Sequence, residues 1–248
     1  MIKGLPAEMA SALRANFLLT LIVAVMTTAL PLMFENPARN SGTSFAASTL
    51  FLYFVHRQVL FGTNARLQPP VGTILPKDSI GQFMLVTLFF TVLILLPAGL
   101  VGYFWARGLE GAQFLNQFLG MTIMVMIPWM WLLFAAIGTL LPAAASRVPF
   151  SFAQALRAGR KSGLRVAIQL AVFPGLALVV LLALVNLGAG LLGPLGGAAP
   201  FALNVVVQAI LLIPSIMTVV ILVRAFRTSH VGGQGALQAE PPVPHTPS

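Results

Sequence analysis

The sequence predicts an all-α fold: a single bundle of six transmembrane helices with both chain ends on the cytoplasmic side. Three observations carry that expectation. Only 8% of the 248 residues are charged, whereas 58% are hydrophobic. A soluble domain carries roughly 25% charged residues, so lipid must solvate most of this surface. Six apolar stretches reach or nearly reach the ~20 residues needed to cross a hydrocarbon core about 30 Å thick. The basic residues concentrate in alternate connecting segments, as they do when positive charge stays on the cytoplasmic side.

The first stretch covers residues 17–34. It follows a basic, weakly amphipathic start, is longer than a typical signal core, and is followed by no small-x-small cleavage site, so it reads as an uncleaved first helix. The second, 44–61, is the weakest, because His56, Arg57 and Gln58 lie near its end, where Arg57 is expected to snorkel to the interface. The third, 83–105, ends on Tyr103 and Trp105, which suit an interfacial aromatic belt. The remaining three are 120–141, 166–187 and 201–223.

Breakers mark the joints between them: 35–42 and the proline-rich 63–78 read as loops, and the uncharged, glycine-dense 188–200 as a hairpin. Residues 1–227 are thus expected to form the membrane domain. Residues 228–248, with three glycines, four prolines and little apolar content, are expected to form a disordered cytoplasmic tail.

With the N-terminus inside, Lys3, Arg14, Arg57, Arg66, Lys77, Arg147, Arg157, Arg160, Lys161, Arg165, Arg224 and Arg227 all fall inside; only Arg39 and Arg107 fall outside. This bias accounts for the net charge of +9 without invoking nucleic acid as a partner, for which no soluble domain exists.

Chemistry-bearing motifs are scarce. The acidic residues are Glu8, Glu35, Asp78, Glu110 and Glu240, and cysteine is absent. Neither paired carboxylates nor thiolates are therefore expected, and no catalytic set, metal-ligand cluster or cofactor motif is recognisable. Gly188, Gly190 and Gly193 spell GxGxxG, but the preceding segment is a membrane helix rather than a strand. The run 159–162 ends like a P-loop, yet Arg160 and Ala155 occupy the positions where that pattern needs glycine.

Ser151 and Gln154 fit a capping box, opening an interfacial cytoplasmic helix near 151–162 that Gly163 could close before the fifth span. Arg157, Arg160, Lys161 and Arg165 give that helix a basic face, a candidate surface for anionic lipid or a partner protein. Within the spans, His56, Arg57, Trp129, Trp131, Asn186 and Gln208 are the candidate polar or cavity-lining residues. The plainer alternatives are a snorkelling pair for His56 and Arg57, interhelical hydrogen bonding for Asn186 and Gln208, and helix packing for Trp129 and Trp131. Pro97, Pro128, Pro174 and Pro214 suit either kinks or the broken helices of a transport path.

The runs Val55-His56-Arg57-Gln58-Val59-Leu60-Phe61-Gly62 and Phe150-Ser151-Phe152-Ala153-Gln154-Ala155-Leu156-Arg157 resemble segments of bacterial six-helix membrane proteins. The layout is similar to the YciC-like group and to the membrane domain attached to some glycerophosphodiester phosphodiesterases. The resemblance implies a bacterial inner-membrane setting; no phosphodiesterase domain is present, so that activity is not implied. The expected role is a non-enzymatic, cofactor-free membrane component that binds anionic lipid or an unknown membrane protein partner at its cytoplasmic face. The alternative is a small transporter or channel subunit for an uncharged or lipophilic solute.

Overall fold

The structure, a computed structural model, describes residues 4–33, 37–61, 78–146, 151–180, 183 and 199–234. Among them every regular element is helical: α1 (Leu5–Met33), α2 (Pro37–Phe61), α3 (Asp78–Ala106), α4 (Gly111–Ile137), α5 (Leu140–Ser146), α6 (Phe152–Leu170) and α7 (Ala199–Gln234). A π-turn, Ala171–Gly175, continues α6, and the run stays helical to Val180. Pro174 sits in that π-turn, the usual consequence of a residue that cannot donate to the helical ladder. Pro97, Pro128 and Pro214 lie inside α3, α4 and α7, which run on through them.

Among the described residues, five helices are long and apolar enough to cross a membrane: Leu5–Ala29, Ile80–Ala106, Gly111–Ile137, Phe152–Val180 and Phe201–Ser229. The six expected apolar spans thus reduce to five by this measure. The one that falls short is α2, because His56, Arg57 and Gln58 interrupt its apolar run. The outward surface of the others is apolar: Leu85 is 69% exposed, Met124 71% and Leu164 79%. Water would not tolerate so continuous an apolar surface. The chain is a multi-pass helical membrane protein.

Several expected boundaries move. Residues 37–42, expected in a loop, form the first turns of α2, with Pro37 at the helix start, where its missing N–H costs nothing. The expected fourth span splits, because α4 stops at Ile137 and α5 begins at Leu140. Gly138 marks the break: a β-carbon there would overlap the Phe134 carbonyl oxygen and stand 2.7 Å from the Leu222 side chain of α7. Gly163 does not end a short helix; it lies inside α6, which runs unbroken from Phe152. Residues 228–234, expected in the tail, extend α7. The loop expected at 63–78 and the hairpin expected at 188–200 fall outside the described residues except for Asp78, Ala199 and Pro200, which are helical, and so do residues 235–248 of the tail.

The helices close into a ring in which α1 packs on α7, α7 on α6, α6 on α4, α4 on α3, and α2 bridges α1 and α3. Inside it sits α5, touching α2, α3 and α7, with Leu141, Pro142, Ala143, Ala144 and Ala145 all buried. Small side chains let a helix of seven residues fit where a longer or bulkier one would force the ring apart. At the opposite end, Gly108 adopts φ 93°, the left-handed conformation that closes α3 and reverses the chain into α4. Tyr103 and Trp105 are exposed there, and the Arg107 guanidinium lies 5.6 Å from the Phe104 ring centroid.

Candidate functional site

Asn16, His56, Arg57 and Gln58, all buried, gather toward one end of the bundle. The start of α1 and the ends of α2 and α7 meet there. The Glu8 carboxylate stands 3.8 Å from the Arg224 guanidinium. Arg227 donates to the Val59 and Leu60 carbonyls at 2.7 and 2.8 Å, satisfying the open end of α2. Deeper, Asn16 of α1 donates to both the Ala12 carbonyl and the Gln58 side chain of α2.

His56 and Arg57 belong to this buried layer. The His56 Nδ1 pairs with the Leu52 carbonyl at 2.8 Å and its ring packs edge-on to Phe83. Arg57 does not snorkel outward. It is 8% exposed, its guanidinium lies 5.3 Å from the Phe61 ring and 5.8 Å from that of Tyr53, and it donates to the Ala145 carbonyl at 3.4 Å. The reason is the buried C-terminus of α5, whose free carbonyls and negative dipole end attract a cation that would otherwise turn toward water.

Of the expected cavity residues, Trp129 and Trp131 are engaged in helix contacts. Trp129 donates its Nε1–H to the Leu93 carbonyl at 2.8 Å, fastening α4 to α3. The Trp131 ring lies where a Gly175 β-carbon would be only 2.8 Å from it, so it fills the contact between α4 and the π-turn. Gln208 is exposed on α7, and Asn186 lies outside the described residues.

The start of α6 is capped as expected. Ser151 is the N-cap, and both halves of the capping box are present: the Gln154 N–H donates to Ser151 Oγ at 3.2 Å and the Ser151 N–H donates to Gln154 Oε1 at 2.7 Å. Arg157, Arg160 and Lys161 are exposed, and Arg165 is half-buried. Phe152 and Leu156, on the adjoining strip, are also exposed. Sequence reading missed what holds this helix in place. Ala155, Gly159 and Gly163 form a small-residue stripe against α4; a Gly159 β-carbon would overlap the Ala136 carbonyl oxygen, and one at Gly163 would lie 3.1 Å from that of Ala135. The small-x-x-x-small spacing was the available signal. Beside the stripe runs a groove of about 230 Å³ lined by Leu132, Ala135, Leu156 and Arg160 among others.

No protein-family model matches the sequence, and no curated protein or solved structure matches it either.

Proposed function

We propose that the protein is a six-crossing, non-enzymatic component of a bacterial inner membrane, with both ends cytoplasmic, that binds anionic lipid or a partner protein through the basic face of α6. The carrying observation is that Arg157, Arg160 and Lys161 stand exposed and form no ion pair among the described residues. Each base near an anionic leaflet contributes roughly 1 kcal/mol of attraction before salt screening.

Six crossings are supported by the meeting of Glu8 with Arg224 and of Arg227 with the end of α2, since an even number of crossings returns the chain to its starting end. The burial of His56, Arg57 and Gln58 inside the bundle supports α2 as the sixth, because its polar residues need not meet lipid. Transport of an uncharged solute draws no support from Trp129 and Trp131, both engaged in helix contacts.

Replacing Arg160 and Lys161 with glutamine tests the lipid reading. Anionic lipid retained through purification should fall, and the remainder should become more salt-sensitive. Ten inner bases still oppose two outer ones, so reporter fusions should keep Arg107 outside and Ser248 inside. Equal retention in variant and original would reduce these charges to topology signals alone.

A further inference from the structure

The groove between α4 and α6 is walled by two helix faces. Leu132, Ala135 and Ala136 line it from α4, and Leu156, Gly159, Arg160 and Gly163 from α6. Both sets keep the spacing i, i+3, i+4, continued to i+7 on α6, so each is a single face. All of these residues are apolar or small except Arg160, which is exposed and makes no ion pair among the described residues. Among those residues no acidic side chain lines the groove.

The walls are fixed from two sides. Gly159 and Gly163 bring α6 against the Ala136 and Ala135 carbonyls, and the Phe152 ring packs edge-on to Phe89 of α3, with centroids 6.5 Å apart. The groove opens to the outside of the bundle, where Leu132 and Leu156 are 57% and 37% exposed.

We infer that this groove seats one acyl chain of a phospholipid whose anionic head is held by Arg160. The inference rests on the lipid-binding reading above and adds a slot for the tail to a surface for the head. Size selects the occupant. A volume of about 230 Å³ holds roughly eight groups of methylene size, with the ~30 Å³ of a water molecule as the scale. That suits part of one chain, whereas a partner helix, about 10–12 Å across, cannot enter. A slot left empty forfeits the contacts of the atoms that line it, and a chain restores them. Charge selects the head. Arg160 can set two N–H groups on two phosphate oxygens, and the exposed Arg157 and Lys161 beside it add to the attraction. A zwitterionic head offers the same phosphate but brings a cation toward those two bases.

The level fits as well. Leu132 to Ala136 belong to the last turns of α4, which stops at Ile137. Just beyond that stop Gly138 packs on Leu222, two residues before Arg224. The groove therefore lies at the end of the bundle that carries Arg224 and Arg227, where a chain meets its headgroup, and not at the bilayer centre.

The test uses full-length protein in neutral detergent. Phosphatidylglycerol with a photoreactive diazirine in one acyl chain is bound and illuminated, and the adducts are mapped by mass spectrometry. They should concentrate on residues 132–136 and 156–163; adducts spread evenly over the lipid-facing helices would overturn the slot. This map needs no variant, so misfolding cannot distort it. Titrations read by native mass spectrometry then separate tail from head. Leu132→Trp, which fills the slot from its exposed rim, should weaken phosphatidylglycerol and phosphatidylcholine alike by about threefold, the loss of several van der Waals contacts. Arg160→Gln should weaken phosphatidylglycerol about tenfold, the loss of one hydrogen bond to a charged group, and leave phosphatidylcholine unchanged. If Leu132→Trp binds phosphatidylglycerol like the original, the slot falls. Should the triple variant Arg157→Gln, Arg160→Gln, Lys161→Gln then lose the lipid, the surface reading stands without the slot; if that variant also retains it, both fall.

Discussion

The two sides of this bundle are held together by different forces. On the α1, α2 and α7 side, polar groups join helices across long sequence separations: Asn16 to Gln58, Arg227 to the Val59 and Leu60 carbonyls, Glu8 to Arg224. On the α3, α4 and α6 side, backbones approach over glycine. Gly102 faces Phe118 and Thr122, and Gly159 and Gly163 face Ala136 and Ala135. Lipid tails are as apolar as leucine, so burying apolar surface gives helices no reason to associate there, and either shape or hydrogen bonding must do so. The shape-held side carries the exposed basic face, so α6 is placed by a seam that leaves Arg157, Arg160 and Lys161 uncommitted.

The comparison breaks most severely at the seam. Gly159→Leu should cost about 3 kcal/mol or more, because the new side chain must displace the Ala136 backbone rather than a flexible neighbour. Gly163→Ala, with more room, should cost clearly less; thermal unfolding in detergent reads both. If the two variants cost the same, backbone approach is not what holds α6.

On the polar side, Asn16→Leu should cost about 1–2 kcal/mol by leaving Gln58 without its partner. A double-mutant cycle with Gln58→Leu should recover a coupling of about 0.6–1.7 kcal/mol. Zero coupling would mean that the two side chains are neighbours and nothing more.

Ser151→Ala should loosen the start of α6 by about 1 kcal/mol, since its hydroxyl accepts the Gln154 N–H. Hydrogen exchange over residues 152–162 should rise while the rest of the bundle stays protected.

The smallest effect is expected for Trp129→Phe, which keeps a ring against α3 but removes the donor to Leu93. A loss of about 0.5 kcal/mol suits a seam held by shape. A loss as large as that of Asn16→Leu would erase the distinction between the two sides.

The helical class and the capping box were legible in the sequence because both rest on local signals: apolar runs of sufficient length, and a serine three residues before a glutamine. What was not legible depends on partners distant in sequence. Residues 120–141 read as one apolar stretch, and only the packing of Leu222 over Gly138 shows why the chain breaks there and tucks α5 inside. Arg57 at the end of a span suggests snorkelling until the buried C-terminus of α5 supplies a reason to turn inward. Gly163 could be a helix stop or a packing surface, and only the proximity of Ala135 decides between them.

The contact between Arg57 and Ala145 also sets a timetable for biogenesis. The two residues are 88 positions apart. At 5–20 residues per second, a ribosome needs roughly 4–18 s to make the chain between them. Throughout that interval α2 has its cation but not the carbonyl that receives it, and an unpaired charge facing lipid is costly. While it waits, the arginine must reach the membrane surface, where its long stem lets it rest. It can turn inward only once α5 has been synthesised. The inward pose of Arg57 thus becomes available only with the arrival of α5.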